Sequence, residues 1–191
     1  QSGFDRFYGF LQGETDQFQP ELTRDNHHIE RPHEKKDYHL SEDLVEKACE
    51  LINDSKSIYP DRPFFLYLSF GATHAPHQAP EKYLEKYKGK FDDGWDEVRN
   101  NWFEKQKELR VIPEDTVLAD RNPGVEPWES LSDNQQTFAC RLQEAFAAML
   151  DHTDEQIGVL LEHLEAMNLK ENTIVILLSD NGASQEGGPS G

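Results

Sequence analysis

The sequence predicts an α/β layer structure built on a partial, mostly parallel sheet flanked by helices. Three observations carry that expectation. The runs Phe64-Phe-Leu-Tyr-Leu-Ser-Phe70 and Thr173-Ile-Val-Ile-Leu-Leu-Ser179 are apolar nearly throughout, as strands covered on both faces of a parallel sheet are. Each run follows a segment with helical periodicity, and the order helix–turn–strand is that of an α/β chain. Each run also stops abruptly in a polar, glycine-containing loop, Gly71-Ala-Thr-His74 and Asp180-Asn-Gly182. Ligands of open α/β sheets sit at such carboxyl ends.

Taken in order, residues 1–40 are rich in aromatics and histidine but poor in periodicity, which reads as irregular structure. His27, His28, His33 and His39 match no zinc spacing, and the neighbouring Arg24, Arg31, Lys35 and Lys36 mark a solvated loop instead. Ser41 reads as an N-cap with Glu42 and Asp43 in the first turn. Leu44, Ala48, Leu51 and Ile52 then form the apolar stripe of a helix reaching about Lys56. Tyr59-Pro-Asp-Arg-Pro63 breaks it before the first strand, expected over about residues 63–70.

Residues 81–110 are charged and helix-prone, anchored by Tyr83, Tyr87, Trp95, Trp102, Phe103 and Leu109, and 113–127 is a proline-rich connector. Ser132-x-x-Gln135 has the form of a capping box. Apolar residues from Phe138 to Met167 then recur every three or four positions, which predicts a long amphipathic helix feeding the strand over about 173–180. Such a stripe is core rather than a cofactor site. Cys49 and Cys140 fall within helical patterns and show no metal-ligand spacing, so both read as packed apolar residues.

Composition narrows the function. A net charge of −18 over 191 residues disfavours nucleic acid and anionic membrane surfaces as partners. It leaves room for an anion site made locally positive by a bound dication. No apolar run reaches membrane-spanning length. With Gln1-Ser2-Gly3 at one end and Gly187-Gly-Pro-Ser-Gly191 at the other, the chain reads as an internal fragment; compartment and oligomeric state have no signal in it.

The chemistry concentrates at the two strand ends. Asp180 and Asn181 offer adjacent oxygen donors of the kind that bind calcium or magnesium; an ordinary Asx turn is the competing reading of the same residues. His74, stiffened by Pro76 and Pro80, is placed to bind an anion or protonate a leaving group. His77 reads as a surface residue. If both strands run parallel in one sheet, about 4.8 Å apart as neighbours, His74 and Asp180 emerge on one edge within roughly 5–12 Å of each other.

With these motifs in place, the sequence resembles the sulfatases of the arylsulfatase type, within the alkaline-phosphatase-like superfamily. The matching stretches are Gly3-Phe-Asp-Arg-Phe-Tyr-Gly-Phe10, Pro63-Phe-Phe-Leu-Tyr67 leading to Thr73-His-Ala-Pro76 and Gln78-Ala-Pro80, Lys88-Gly-Lys-Phe-Asp92, and Ser179-Asp-Asn-Gly182. The resemblance implies that residues 1–191 are part of a single sulfatase catalytic domain. It implies hydrolysis of a small-molecule or carbohydrate sulfate ester by a formylglycine nucleophile with a divalent cation, calcium in preference to magnesium. Asp180 and Asn181 would be two of the cation's ligands, and His74 would bind the sulfate or assist the leaving oxygen.

The sequence departs from the family pattern at the nucleophile. No Cys/Ser-x-Pro-x-Arg motif is present, and Ser57-Ile-Tyr-Pro60-Asp-Arg62 carries its proline one residue too late. Formylglycine, the first acidic ligands and two lysines of the family are therefore expected outside residues 1–191. A phosphatase or phosphodiesterase of the same superfamily, and a non-catalytic cation- or carbohydrate-binding module, are the alternative readings.

Overall fold

The computed structural model describes residues 3–33, 36–179 and 181–182. Strand β1 (Tyr8–Gly9), β2 (Leu22–Arg24) and β3 (His27–Ile29) form one small antiparallel sheet in that order, with Tyr8 opposite Arg24 and Leu22 opposite Ile29. Helices α1 (Leu40–Ile58), α2 (Glu81–Tyr87), α3 (Gly94–Glu108) and α4 (Asp133–Ala166) follow, with single 3₁₀ turns at Trp128–Ser130 and Lys170–Asn172. No described helix is long and apolar enough to cross a membrane.

Helix α1 starts two residues earlier than its sequence suggests, because His39 rather than Ser41 is the N-cap. The His39 backbone is extended, and its ring nitrogen Nδ1 accepts the Ser41 N–H at 3.2 Å. Ser41 itself lies inside the helix, buried. Leu40, Leu44, Val45, Ala48 and Ile52 face inward, each removed from water at about 25 cal/mol per Å² of apolar surface. At the other end Lys56 ties down the last turn by donating to the carbonyls of Pro60 (3.0 Å) and Arg62 (2.8 Å).

Helix α4 follows its pattern closely. Ser132 and Gln135 make the expected capping box, and 34 residues span about 50 Å at 1.5 Å per residue. The helix packs along both α1 and α2. Cys140 is buried in it and Cys49 partly buried in α1, both as free thiols, in line with their reading as packing residues. Trp128 is seated directly over Gly94, whose φ of +80° starts α3.

Two hydrophobic clusters hold these pieces. Leu22, Tyr38, Leu40 and Leu44 join β2 to α1, with Tyr8, Phe10, Leu68 and Phe70 packed around them. Ala79, Tyr83, Ala148 and Met149 join the loop before α2 to α4. A buried carboxylate reinforces the first cluster. Asp43 accepts hydrogen bonds from the Tyr8 and Tyr38 hydroxyls, the latter at 2.9 Å, and burial together with that carboxylate raises both phenols' pKa.

The expected parallel sheet is where structure and sequence part. Among the described residues neither apolar run forms a hydrogen-bonded ladder, and the strands that do form are antiparallel and lie elsewhere. Residues 64–70 alternate between half-buried and exposed. Leu68 and Phe70 turn into the first cluster, while Phe65 is 77% and Tyr67 73% exposed. Residues 173–179 form no regular element, and Ile174 is 90% and Leu178 74% exposed. An apolar run becomes a sheet strand only when neighbours satisfy its backbone and cover its faces. The described residues supply no such neighbours for either run.

Candidate functional site

The loop between residue 70 and α2 is held from three sides. At its start the His74 N–H donates to the Gly71 carbonyl at 3.0 Å. A Cβ on Gly71 would lie 3.0 Å from Gln17 Nε2 and 3.3 Å from Phe10 Cζ, so this glycine allows the loop to lie against residues 10–17. In its second half the Gln78 side chain bridges two partners. Its Oε1 accepts the Gln17 N–H at 2.7 Å and its Nε2 donates to Asp16 Oδ2 at 2.8 Å. Asp16 Oδ1 in turn accepts the N–H groups of Phe18 and Gln19. Burial works against the Asp16 carboxylate, but these donors outweigh it and hold its pKa below the usual range. Ala79 is buried against Tyr83, Ala148 and Met149.

His74 stands on this anchored loop with its side chain 49% exposed. Its Nδ1 lies 2.9 Å from the Ala75 carbonyl oxygen. A carbonyl only accepts, so Nδ1 carries the hydrogen and proton exchange runs through Nε2. Glu14 Oε2 lies 3.4 Å from Nδ1. The geometry suits a group that donates to an anion or returns a proton to a leaving oxygen. His77 packs edge-on to Phe146 at 5.7 Å, and burial, with His74 nearby, lowers its pKa. It is a packed residue more than a surface one.

At the second site segment, Asp180 lies outside the described residues, so its distance from His74 is not part of the geometry above. Asn181 is exposed. The Ser179 hydroxyl donates to its backbone carbonyl at 2.6 Å. Its side chain donates to the Gly182 carbonyl at 2.7 Å through the amide nitrogen, the end of the amide that a cation does not bind. Among the described residues no group of three or more His, Cys, Asp or Glu side chains is arranged to hold a metal ion. A carboxylate and an amide oxygen, as on Asp180 and Asn181, have the chemistry of hard-cation ligands, of which calcium takes six to eight.

One histidine departs from the sequence reading altogether. His39 was grouped by spacing with the exposed loop histidines, yet it is 1% exposed, caps α1, and packs edge-on against His152 of α4 with ring centroids 4.4 Å apart. Its position immediately before a Leu-Ser-Glu-Asp helix start was the available signal. Nothing in the sequence marked His152, which sits inside an apolar stripe, or Gln78 as partners of the same loop.

Comparison with known proteins decides the family. A profile of the sulfatase family matches residues 1–190. The chain belongs to the sulfatase family. It is 35% identical over 167 residues, 87% of its length, to an uncharacterised sulfatase of Schizosaccharomyces pombe. It is 30% identical over 194 residues, 95% of its length, to an arylsulfatase of Klebsiella aerogenes. An ulvan-active sulfatase of Formosa agariphila shares 31% identity over 143 residues, covering 73% of the chain. This sulfatase chain spans 30%, 40% and 20% of those three relatives respectively. The fold is also similar to a crystal structure of a Bacteroides fragilis protein described as a sulfatase. That match has a TM-score of 0.52 at 20% identity, over 89% of this chain and 30% of the other.

Proposed function

We propose that the protein is a sulfuric ester hydrolase of the arylsulfatase type, and that residues 1–191 form part of its single catalytic domain. The observation that carries this is the family match over residues 1–190, joined to a rigidly anchored loop presenting His74 with Nε2 as its exchangeable nitrogen. The substrate class is a small-molecule or carbohydrate sulfate ester. The two apolar runs, 63–70 and 173–180, are parallel strands of one sheet in the intact domain, their carboxyl ends bringing His74 and Asp180 to one edge.

Formylglycine, a modified side chain expected outside residues 1–191, would supply the nucleophile at sulfur, and a divalent cation, calcium or magnesium, would neutralise the sulfate oxygens. Asp180 and Asn181 would hold that cation through carboxylate and amide oxygens. His74 does the rest of what this chain contributes. As imidazolium it donates from Nε2 to a sulfate oxygen or to the ester oxygen as the S–O bond lengthens. The Ala75 carbonyl on Nδ1 fixes the ring for that transfer. Gln78 and Gly71 keep the loop from drifting, which matters because small misplacements of a catalytic group are costly.

The test is turnover by the intact protein of an aryl sulfate and of the matching aryl phosphate. Sulfate hydrolysis lost on His74→Ala, and weakened in cation affinity on Asp180→Ala, is the expected pattern. Preferential phosphate hydrolysis would move the protein to the phosphatase branch of the superfamily, and cation binding without turnover of either ester would make it a binding module. Residues 1–191 alone are expected to show no turnover, since they contain no Cys/Ser-x-Pro-x-Arg segment.

A further inference from the structure

The buried pair His39 and His152 is used by none of the chemistry above, and its hydrogen bonds leave little freedom in how it is protonated. His39 Nδ1 accepts the Ser41 N–H at 3.2 Å, and Nε2 lies 3.1 Å from the Gln78 carbonyl oxygen. The ring is therefore the neutral tautomer with hydrogen on Nε2. That one ring caps α1 and, at its other edge, holds the backbone of the loop that carries His74. His152 meets His39 edge-on at 4.4 Å and the Tyr83 ring of α2 at 4.9 Å. Its Nε2 lies 3.1 Å from Glu42 Oε1, while Nδ1 is buried and has no hydrogen-bond partner among the described residues. A second proton on His152 would have no acceptor, and one on His39 would point at the Ser41 N–H.

We infer that His39 and His152 are positioning residues which, as a neutral edge-to-face pair, fix the 71–80 loop against α1, α2 and α4 and release it when either ring is protonated. This rests on the reading that His74 belongs to the functional site. The charged neighbours do not compensate for a proton. Around His39 they are Asp16 from the preceding loop and Glu42 of α1; around His152 they are Glu42, Asp151 and Glu155, opposed by Lys82 of α2. Asp151 and Glu155 are already paired with Lys86 and Lys82. Burial dominates, and both rings are driven down to a pKa of about 4. The loop anchor is therefore in place at neutral pH and is lost as the medium becomes acidic.

Three variants of the intact protein separate the contributions. His39→Asn keeps an acceptor near Nδ1 for the α1 cap but loses the bond to Gln78. His39→Gln keeps a donor near Nε2 for Gln78 but loses the cap. His152→Gln keeps a donor for Glu42 and removes the titration. Hydrogen-exchange protection factors over residues 71–80 are the primary readout, with turnover of an aryl sulfate as the second. His39→Asn should lower loop protection about tenfold or more and kcat by about ten- to hundredfold, with KM moving less and the far-ultraviolet circular dichroism of the helices retained. His39→Gln should change loop protection by less than about threefold.

In the parent protein, loop protection should fall as pH drops from about 6.5 towards 4 with both rings taking up protons. His152→Gln, which leaves only His39 to titrate, should make that fall shallower, with about one proton taken up instead of two. Unchanged loop protection in His39→Asn, or the same acid profile in His152→Gln as in the parent, would overturn the inference. A loosened loop with unaltered turnover would uphold the anchor and instead sink the role given to His74.

Discussion

Replacing Gln78 by alanine is the most direct perturbation of the site loop, because its side chain is the bolt between residues 16–17 and 78. The substitution deletes two hydrogen bonds, to the Gln17 N–H at 2.7 Å and to Asp16 Oδ2 at 2.8 Å. A neutral bond contributes about 1 kcal/mol net and one to a carboxylate about 1.5–3 kcal/mol. Both lie in a partly buried setting where water replaces some of what is lost, so the expected cost is about 2 kcal/mol. At roughly 2–4 °C per kcal/mol for a chain of this size, Tm should fall by about 4–8 °C. Gln78→Glu sharpens the test. One of its oxygens still accepts from Gln17, but the other faces the Asp16 carboxylate, so it should be less stable than Gln78→Ala at neutral pH and recover relative to it in acid. Thermal unfolding followed by circular dichroism, on the parent and both variants at pH 7 and pH 4, measures all of this. A loss under about 0.5 kcal/mol for Gln78→Ala, or a Gln78→Glu variant more stable than it at pH 7, would refute the reasoning.

Further perturbations probe the remaining supports. Gly94→Ala would put a Cβ 2.3 Å from the Trp128 ring at a φ of +80°; a loss above about 2 kcal/mol with altered tryptophan fluorescence is expected. Asp43→Ala strips the shared acceptor from Tyr8 and Tyr38, and should cost about 2–4 kcal/mol against about 1 kcal/mol for Tyr38→Phe in urea unfolding. The histidine pair gives a pH dependence whose sign is fixed. Each ring has a folded-state pKa of about 4 against about 6.5 unfolded. Its contribution is therefore full above pH 6.5 and is lost as pH falls towards 4, up to about 3 kcal/mol per ring at 1.36 kcal/mol per pKa unit. Urea unfolding of parent and His152→Gln across that range should show the difference.

The helical half of the chain was legible because its signals are local. The Ser132–Gln135 capping box and the spacing from Phe138 to Met167 need nothing beyond neighbours along α4, and the structure has both. The α1 stripe was equally readable, but its cap was not. Ser41 is the commoner capping residue, and only the approach of Gln78 and His152 makes His39 the better acceptor. The apolar runs at 64–70 and 173–179 show the opposite limit. Their composition speaks of covered strands, yet pairing is a non-local property, and residues 173–179 stand exposed in the described structure. The candidate site rests on a pair of motifs, His74 and Asp180-Asn181, of which Asp180 lies outside the described residues. The site's supports were not legible in the sequence, since the Gln78 bridge and the histidine pair join residues far apart in the chain, 61 positions from Gln17 to Gln78 and 39 from His39 to Gln78.

The shared site is the central claim, and an experimental structure of the intact protein, soaked with calcium and a sulfate ester analogue, tests it most directly. The account predicts a cation bound by Asp180 and Asn181 oxygens, the anion between that cation and His74 Nε2, and His74 within roughly 12 Å of Asp180 across adjacent or next-adjacent parallel strands. A separation above about 15 Å, or the two residues on opposite edges of the sheet, would contradict it.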